Sequence, residues 1–137
     1  MHCHTSRYSR CSRIAPAILV RQVKQKELQG VVITEHHYLW KLDELKALRV
    51  EAELDENFLI LSGQEVGTDI GHVLVFGASR TIEEEISLKD LRLDFPGAAL
   101  VWAHPFRDGG TPDEKKLLNP ILDGVEIFSM NQTPKEN

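Results

Sequence analysis

The sequence predicts an α/β fold with a mainly parallel sheet. Two observations carry that expectation: short apolar, β-branched runs alternate with segments of helical period, and most of the histidines fall where those runs end. With 137 residues, of which 42% are hydrophobic, the chain is long enough for one globular domain over 1–137 and too short to suggest two.

Residues 15–29 set Ile18, Leu19, Val23 and Leu28 among charges at near-helical spacing, and Gly30 stands where a C-terminal cap would. Residues 31–34 (VVIT) are apolar on both faces, as a strand inside a parallel sheet would be, and His36 and His37 follow them. The 3.6 period returns over 39–54, where Tyr38 and Trp40 are expected to pack on the helix. Residues 58–66 read as a strand, and 71–77 (GHVLVFG) as another bounded by glycines. The charged stretch 81–94 predicts helix or helical turn, ended by Pro96-Gly97. Residues 98–103 form a further buried strand, which stops at His104 because Pro105 has no N–H to give a ladder. A short capped helix is expected within 111–118 and a last strand over 125–128, before a polar end at 131–137.

A net charge of -5 and an isoelectric point near 5.7 offer no cationic footprint for a nucleic-acid backbone. The charge is uneven, since the first 26 residues carry Arg7, Arg10, Arg13, Arg21, Lys24 and Lys26 and no carboxylate. A transit peptide would share that composition, but this segment contains His-Cys-His and leads unbroken into the folded pattern. No apolar run approaches the roughly 18 residues of a membrane span. A soluble, cytoplasmic protein is therefore expected, with Cys3 and Cys11 as thiols rather than a disulfide framework.

The histidines carry the chemistry. His2 and His4 are two residues apart, so in an extended segment both imidazoles point to one side and can reach one ion. Glu65 and His72 add a carboxylate and another imidazole, a nitrogen-and-oxygen set suited to zinc, manganese or iron, with neither cysteine required. Arg10 and Arg13, just beyond, present forked donors suited to a substrate phosphate. Successive residues leaving a strand face opposite ways, so His36 and His37 do not both serve one cluster, and the apolar pattern leaves the choice between them open.

These residues lie in a recognisable order. His2-Cys3-His4-Thr5 resembles the opening His-x-His-Thr of the polymerase-and-histidinol-phosphatase (PHP) family, and Thr34-Glu35-His36 its Thr-Asp-His. Gly63-Gln64-Glu65 is similar to its Gly-x-Glu, Gly71-His72 to its Gly-His, Ala103-His104-Pro105 to its Ala-His-Pro, and Gly124-Val125-Glu126 to its late Gly-x-Glu. The resemblance implies a distorted, TIM-like (β/α)7 barrel with up to three divalent transition metal ions. His2, His4, His36, Glu65, His72 and His104 would be the ligands, with Glu65 bridging, and catalysis would depend on Glu65 and His104. It settles the choice at the strand end for His36 and leaves His37 to line the substrate entrance, with Glu35 and Glu126 behind the ligands.

The implied reaction is hydrolysis of a phosphoester, on a small phosphorylated metabolite or nucleotide, by metal-activated water. Three departures stand out: Glu35 replaces the usual Asp, Arg10 stands where many relatives place a metal-binding acid or histidine, and the closing Asp-x-His does not occur. The expectation is therefore an incomplete barrel holding fewer ions and able to self-associate through uncovered sheet edges. The alternative is a catalytically impaired fragment serving as a binding or structural module.

Overall fold

The computed structural model describes residues 1–107 and 111–129, so the polar end expected at 131–137 lies outside the described residues. The chain divides into two compact units, Met1–Gln64 and Glu65–Asn137.

The first unit holds α1 (Pro16–Gln25), β1 (Gly30–His36), α2 (Leu42–Glu51) and the beginning of β2 (Leu59–Thr68). Pro16 opens α1 at a position where its missing N–H costs nothing. Glu44 folds back onto the backbone N–H of Lys41 at 2.9 Å to start α2. Val20 from α1, Ile33 from β1, Leu48 from α2 and Phe58 meet in one core, each burial contributing about 1.5–3 kcal/mol. The first residues run beside β1: Thr34 N donates to Cys3 O at 2.8 Å, and Cys3 N to Thr34 Oγ1 at 3.0 Å.

The second unit holds the rest of β2, then β3 (Gly71–Phe76), α3 (Leu88–Asp94), β4 (Ala99–Trp102), α4 (Glu114–Leu117) and β5 (Gly124–Val125). Val66, Val73, Val75, Leu88, Leu91 and Leu100 form its core. The ladder order is β1-β2-β3-β4-β5, the boundary between the units falling inside β2.

The secondary structure is mixed α/β, as expected, but the expectation of mainly parallel strands needs correction. β4 and β5 pair in parallel, whereas β3 and β4 are antiparallel, with Val73 opposite Trp102 and Phe76 opposite Ala99. Only Asp69 and Ile70 separate β2 from β3, far short of the dozen residues a parallel crossover needs. Gly71 takes a φ of 120° at that turn, a conformation glycine adopts without strain.

Two further elements are shorter than expected. Over 81–94 the helix begins only at Leu88, where Ser87 Oγ accepts from Asp90 N at 3.1 Å and sets the N-terminus. The strand expected over 125–128 ends at Val125, because β4 ends at Trp102 and offers no further ladder once Glu126 N has donated to Trp102 O at 2.8 Å. Ile127 and Phe128 are exposed.

Asp123 holds the start of β5 to β4, accepting from Leu100 N at 2.8 Å and from Arg92 Nη2 at 2.7 Å. The Leu100 N–H, and then the Arg92 guanidinium, hold its carboxyl below its ordinary value of 3.8. A carboxyl with a lowered folded pKa contributes stability that is present above that ordinary value and is lost as pH falls through the lowered one. Asp123→Asn should therefore lower the unfolding midpoint at neutral pH, with the gap from wild type closing in acid. A gap that stayed constant with pH would show that the charge of Asp123 contributes nothing.

Candidate metal centre

In the first unit the bonds from Thr34 N to Cys3 O and from Cys3 N to Thr34 Oγ1 fix the start of the chain, which leaves His2 and His4 on one side. Their Nε2 atoms lie 3.0 Å apart, close enough for both to bind one ion at about 2.1 Å. His36, the last residue of β1, stacks on His4 with ring centroids 4.5 Å apart and 14° between planes.

Behind these rings lies a buried polar group in which two motif residues, Thr5 and Glu35, meet. Glu35 is fully buried. Its oxygens accept from Thr5 N at 3.0 and 3.2 Å, from Thr5 Oγ1, from Ser9 Oγ at 2.5 Å and from Trp40 Nε1 at 3.2 Å. Ser9 is the junction. Having donated its proton to Glu35, its Oγ accepts from His36 N at 3.1 Å and stands 3.3 Å from His4 Nδ1. That oxygen favours the His4 tautomer with the proton on Nδ1, which turns the lone pair of Nε2 toward His2.

Ser9 and Trp40 escaped the sequence reading. A serine among surface arginines carries no periodic signal, and Trp40 read only as an aromatic packing on α2. Trp40 is indeed in the core, while Tyr38 stacks on Tyr8 with centroids 3.7 Å apart. The hydroxyls of Tyr8 and Tyr38 both donate to Glu44 of α2. Burial alone would push the Glu44 carboxyl up, but the bonds from Tyr8, Lys41 N and Tyr38 and the charge of Arg7 together hold it below its ordinary value.

His37 diverges from His36 because the chain reverses there: Glu35 and Tyr38 form an antiparallel bridge, and His37 takes a left-handed φ of 48°. Arg10 and Arg13 are exposed. Neither cysteine forms a disulfide, and Cys11 is exposed. A ligand atom of Cys11 lies within 4.8 Å of ring nitrogens of both His4 and His36.

In the second unit Glu65, 1% exposed, lies within β2 rather than at its end. One of its oxygens, Oε1, stands 2.8 Å from His72 Nδ1 and 2.9 Å from His104 Nε2. The antiparallel turn makes this meeting possible: His72, near the start of β3, lies beside the end of β4, where Ala103 N donates to His72 O at 2.9 Å. His104 is 8% exposed and holds a left-handed φ of 33°, at a cost of about 1–3 kcal/mol for a residue with a side chain. Its N–H donates to Glu126 Oε2 at 2.8 Å, which helps hold that conformation.

A buried carboxyl oxygen shared by two imidazoles is a donor set that fits a divalent transition metal. So does the group of rings around His4. Calcium would call for six to eight oxygens instead.

No family model and no curated protein matches the sequence. Among solved structures, the chain is similar to a crystal structure described as a "putative metal-dependent phosphoesterase" from Bifidobacterium adolescentis, with a TM-score of 0.68 and 15% identity over 98% of this chain and 78% of that one. At that identity the likeness establishes that the two chains share a mixed α/β fold.

Proposed function

We propose that this protein is a metal-dependent phosphoester hydrolase of the PHP type, acting on a small phosphorylated metabolite or nucleotide. The observation that carries the reading is Glu65, a buried carboxyl with two imidazoles on one oxygen. The fold it shares with a structure described as a metal-dependent phosphoesterase, and the order of the six motifs, support the same reading. The finer architecture is a distorted barrel of the family's kind, and the cytoplasm is its proposed location. No described helix is long and apolar enough to cross a membrane.

His2, His4 and His36 in the first unit and Glu65, His72 and His104 in the second are the proposed ligands of zinc, manganese or iron. When bound, such ions supply an acidified water as nucleophile and positive charge against the developing phosphoryl oxygens. The chain's own part is to hold and orient. Ser9 fixes the His4 ring, Glu65 brings negative charge to the two imidazoles it meets, and Glu126 anchors the backbone of His104. Arg10 and Arg13 are exposed side chains whose forked donors suit a substrate phosphate.

The test is release of inorganic phosphate from an aryl phosphate by the purified chain. Release is expected with added zinc, manganese or iron and not after treatment with a chelator. Equal rates with and without chelator, or no release with any metal, would sink the reading.

His36 and His37 provide a second check at single-residue resolution. His36→Ala should weaken metal binding by at least the 10–100-fold typical of groups one step further from the ion, whereas His37→Ala should leave metal content near wild type. The reverse outcome in a metal analysis would move the ligand assignment to His37.

A further inference from the structure

We propose that Cys11 is a metal ligand, its thiolate joining His4 and His36 in a mixed nitrogen-and-sulfur site in the first unit. The inference rests on the metal-binding reading above and adds to it a ligand of different chemistry. Its basis is the cluster itself: Cys11 Sγ and one ring nitrogen each of His4 and His36 lie mutually within 4.8 Å, and His4 already has His2 at 3.0 Å.

Local structure holds the three groups together. His4 and the backbone of His36 both meet Ser9 Oγ. The turn that carries Cys11 is tied to the same place, since Ser12 N donates to Ser9 O at 3.1 Å and Ser12 Oγ donates to His4 O at 2.9 Å. Its base closes where Ser6 N donates to Ile14 O at 2.8 Å. The turn therefore has little freedom to carry Cys11 away. The exposure of Cys11 leaves a path for an ion to enter.

Binding exchanges one bond for another: the Sγ–H proton leaves to water as the sulfur–metal bond forms. A thiolate is a soft ligand. Its presence shifts preference toward zinc and cobalt(II) and away from manganese and magnesium, which favour oxygen donors.

The experiment uses the full chain with Cys3→Ser, which makes Cys11 the sole thiol. Cys3 meets Thr34 through its backbone, so the serine keeps those bonds. Cobalt(II) alone is added and the near-ultraviolet sulfur-to-cobalt charge-transfer band is recorded; separately, the rate of thiol modification by an aromatic disulfide is measured with and without zinc. The band should appear, and should be missing when Cys11→Ser is added. Zinc should slow thiol modification by at least about tenfold, and Cys11→Ser should reduce the preference for zinc over manganese by a similar factor.

Cobalt(II) bound with visible d–d bands but no charge-transfer band, or a thiol equally reactive with zinc bound, would overturn the Cys11 assignment and leave the wider metal reading standing. Failure of cobalt(II) and zinc to bind at all would overturn both.

Discussion

Glu65→Gln should abolish metal-dependent phosphate release and reduce metal content together, and its effect on affinity should exceed the 10–100-fold typical of residues that only support a ligand. The carboxyl is buried and presents a single oxygen to His72 Nδ1 and His104 Nε2. Gln keeps the volume and one carbonyl oxygen, so packing against the neighbouring core is preserved. What it removes is the negative charge, and with it the main electrostatic reason for a divalent ion to settle beside the two imidazoles. The fold should change little, because the variant still offers a hydrogen-bond acceptor to one ring. Elemental analysis after gentle purification, paired with far-ultraviolet circular dichroism, separates the two effects. A variant that retained the metal and activity of wild type would show that Glu65 is a structural carboxyl and that the observed hydrolysis belongs to another site.

The legible parts of this molecule are those where a local pattern maps onto a local structure. Val31-Val32-Ile33-Thr34 reads as a strand because β-branched residues suit a pleated surface, and Pro105 marks a limit that β4, ending at Trp102, does not pass. The close approach of His2 and His4 follows from the period of two in an extended chain. Direction within the sheet was harder to read. Alternating strands and helices argued for parallel pairing, and the two-residue link at Asp69-Ile70 that forbids it was the clue against. That turn also explains His72: on a parallel strand its position near the start would lie at the opposite end from His104, and antiparallel pairing brings the two together.

Side-chain partnerships between distant residues were the least legible. Ser9 meets Glu35 from 26 positions away, across a helix, and no periodicity encodes that meeting. Imidazoles and a carboxylate already make a sufficient ligand set, so nothing in the sequence points to Cys11. Sufficiency of one set says nothing about what the fold places beside it.

Glu35 should be the residue on which the stability of the first unit depends most. Its carboxyl is fully buried and accepts from four donors: Thr5 N, Thr5 Oγ1, Ser9 Oγ and Trp40 Nε1. Two of these donors are hydroxyls that can rotate toward another acceptor. The Thr5 amide and the Trp40 indole cannot, and each stranded buried donor costs about 1–3 kcal/mol. Glu35→Val should therefore cost about 3–5 kcal/mol, a large share of the 5–15 kcal/mol typical of a whole domain. Glu35→Gln keeps one acceptor oxygen but places an amide N–H₂ against donors on the other side, so its cost should be intermediate. Urea unfolding of the metal-free protein measures both, with an unchanged slope needed for the comparison to hold. Ser9→Ala provides the contrast: it removes the acceptor facing His4 Nδ1 while Glu35 keeps its other three donors, so it should weaken metal binding more than it weakens the fold. If Glu35→Val unfolds at the wild-type midpoint, the buried group is not what holds the start of the chain to β1. The bonds between Cys3 and Thr34, one to the Cys3 carbonyl and one to the Thr34 hydroxyl, would then have to do so.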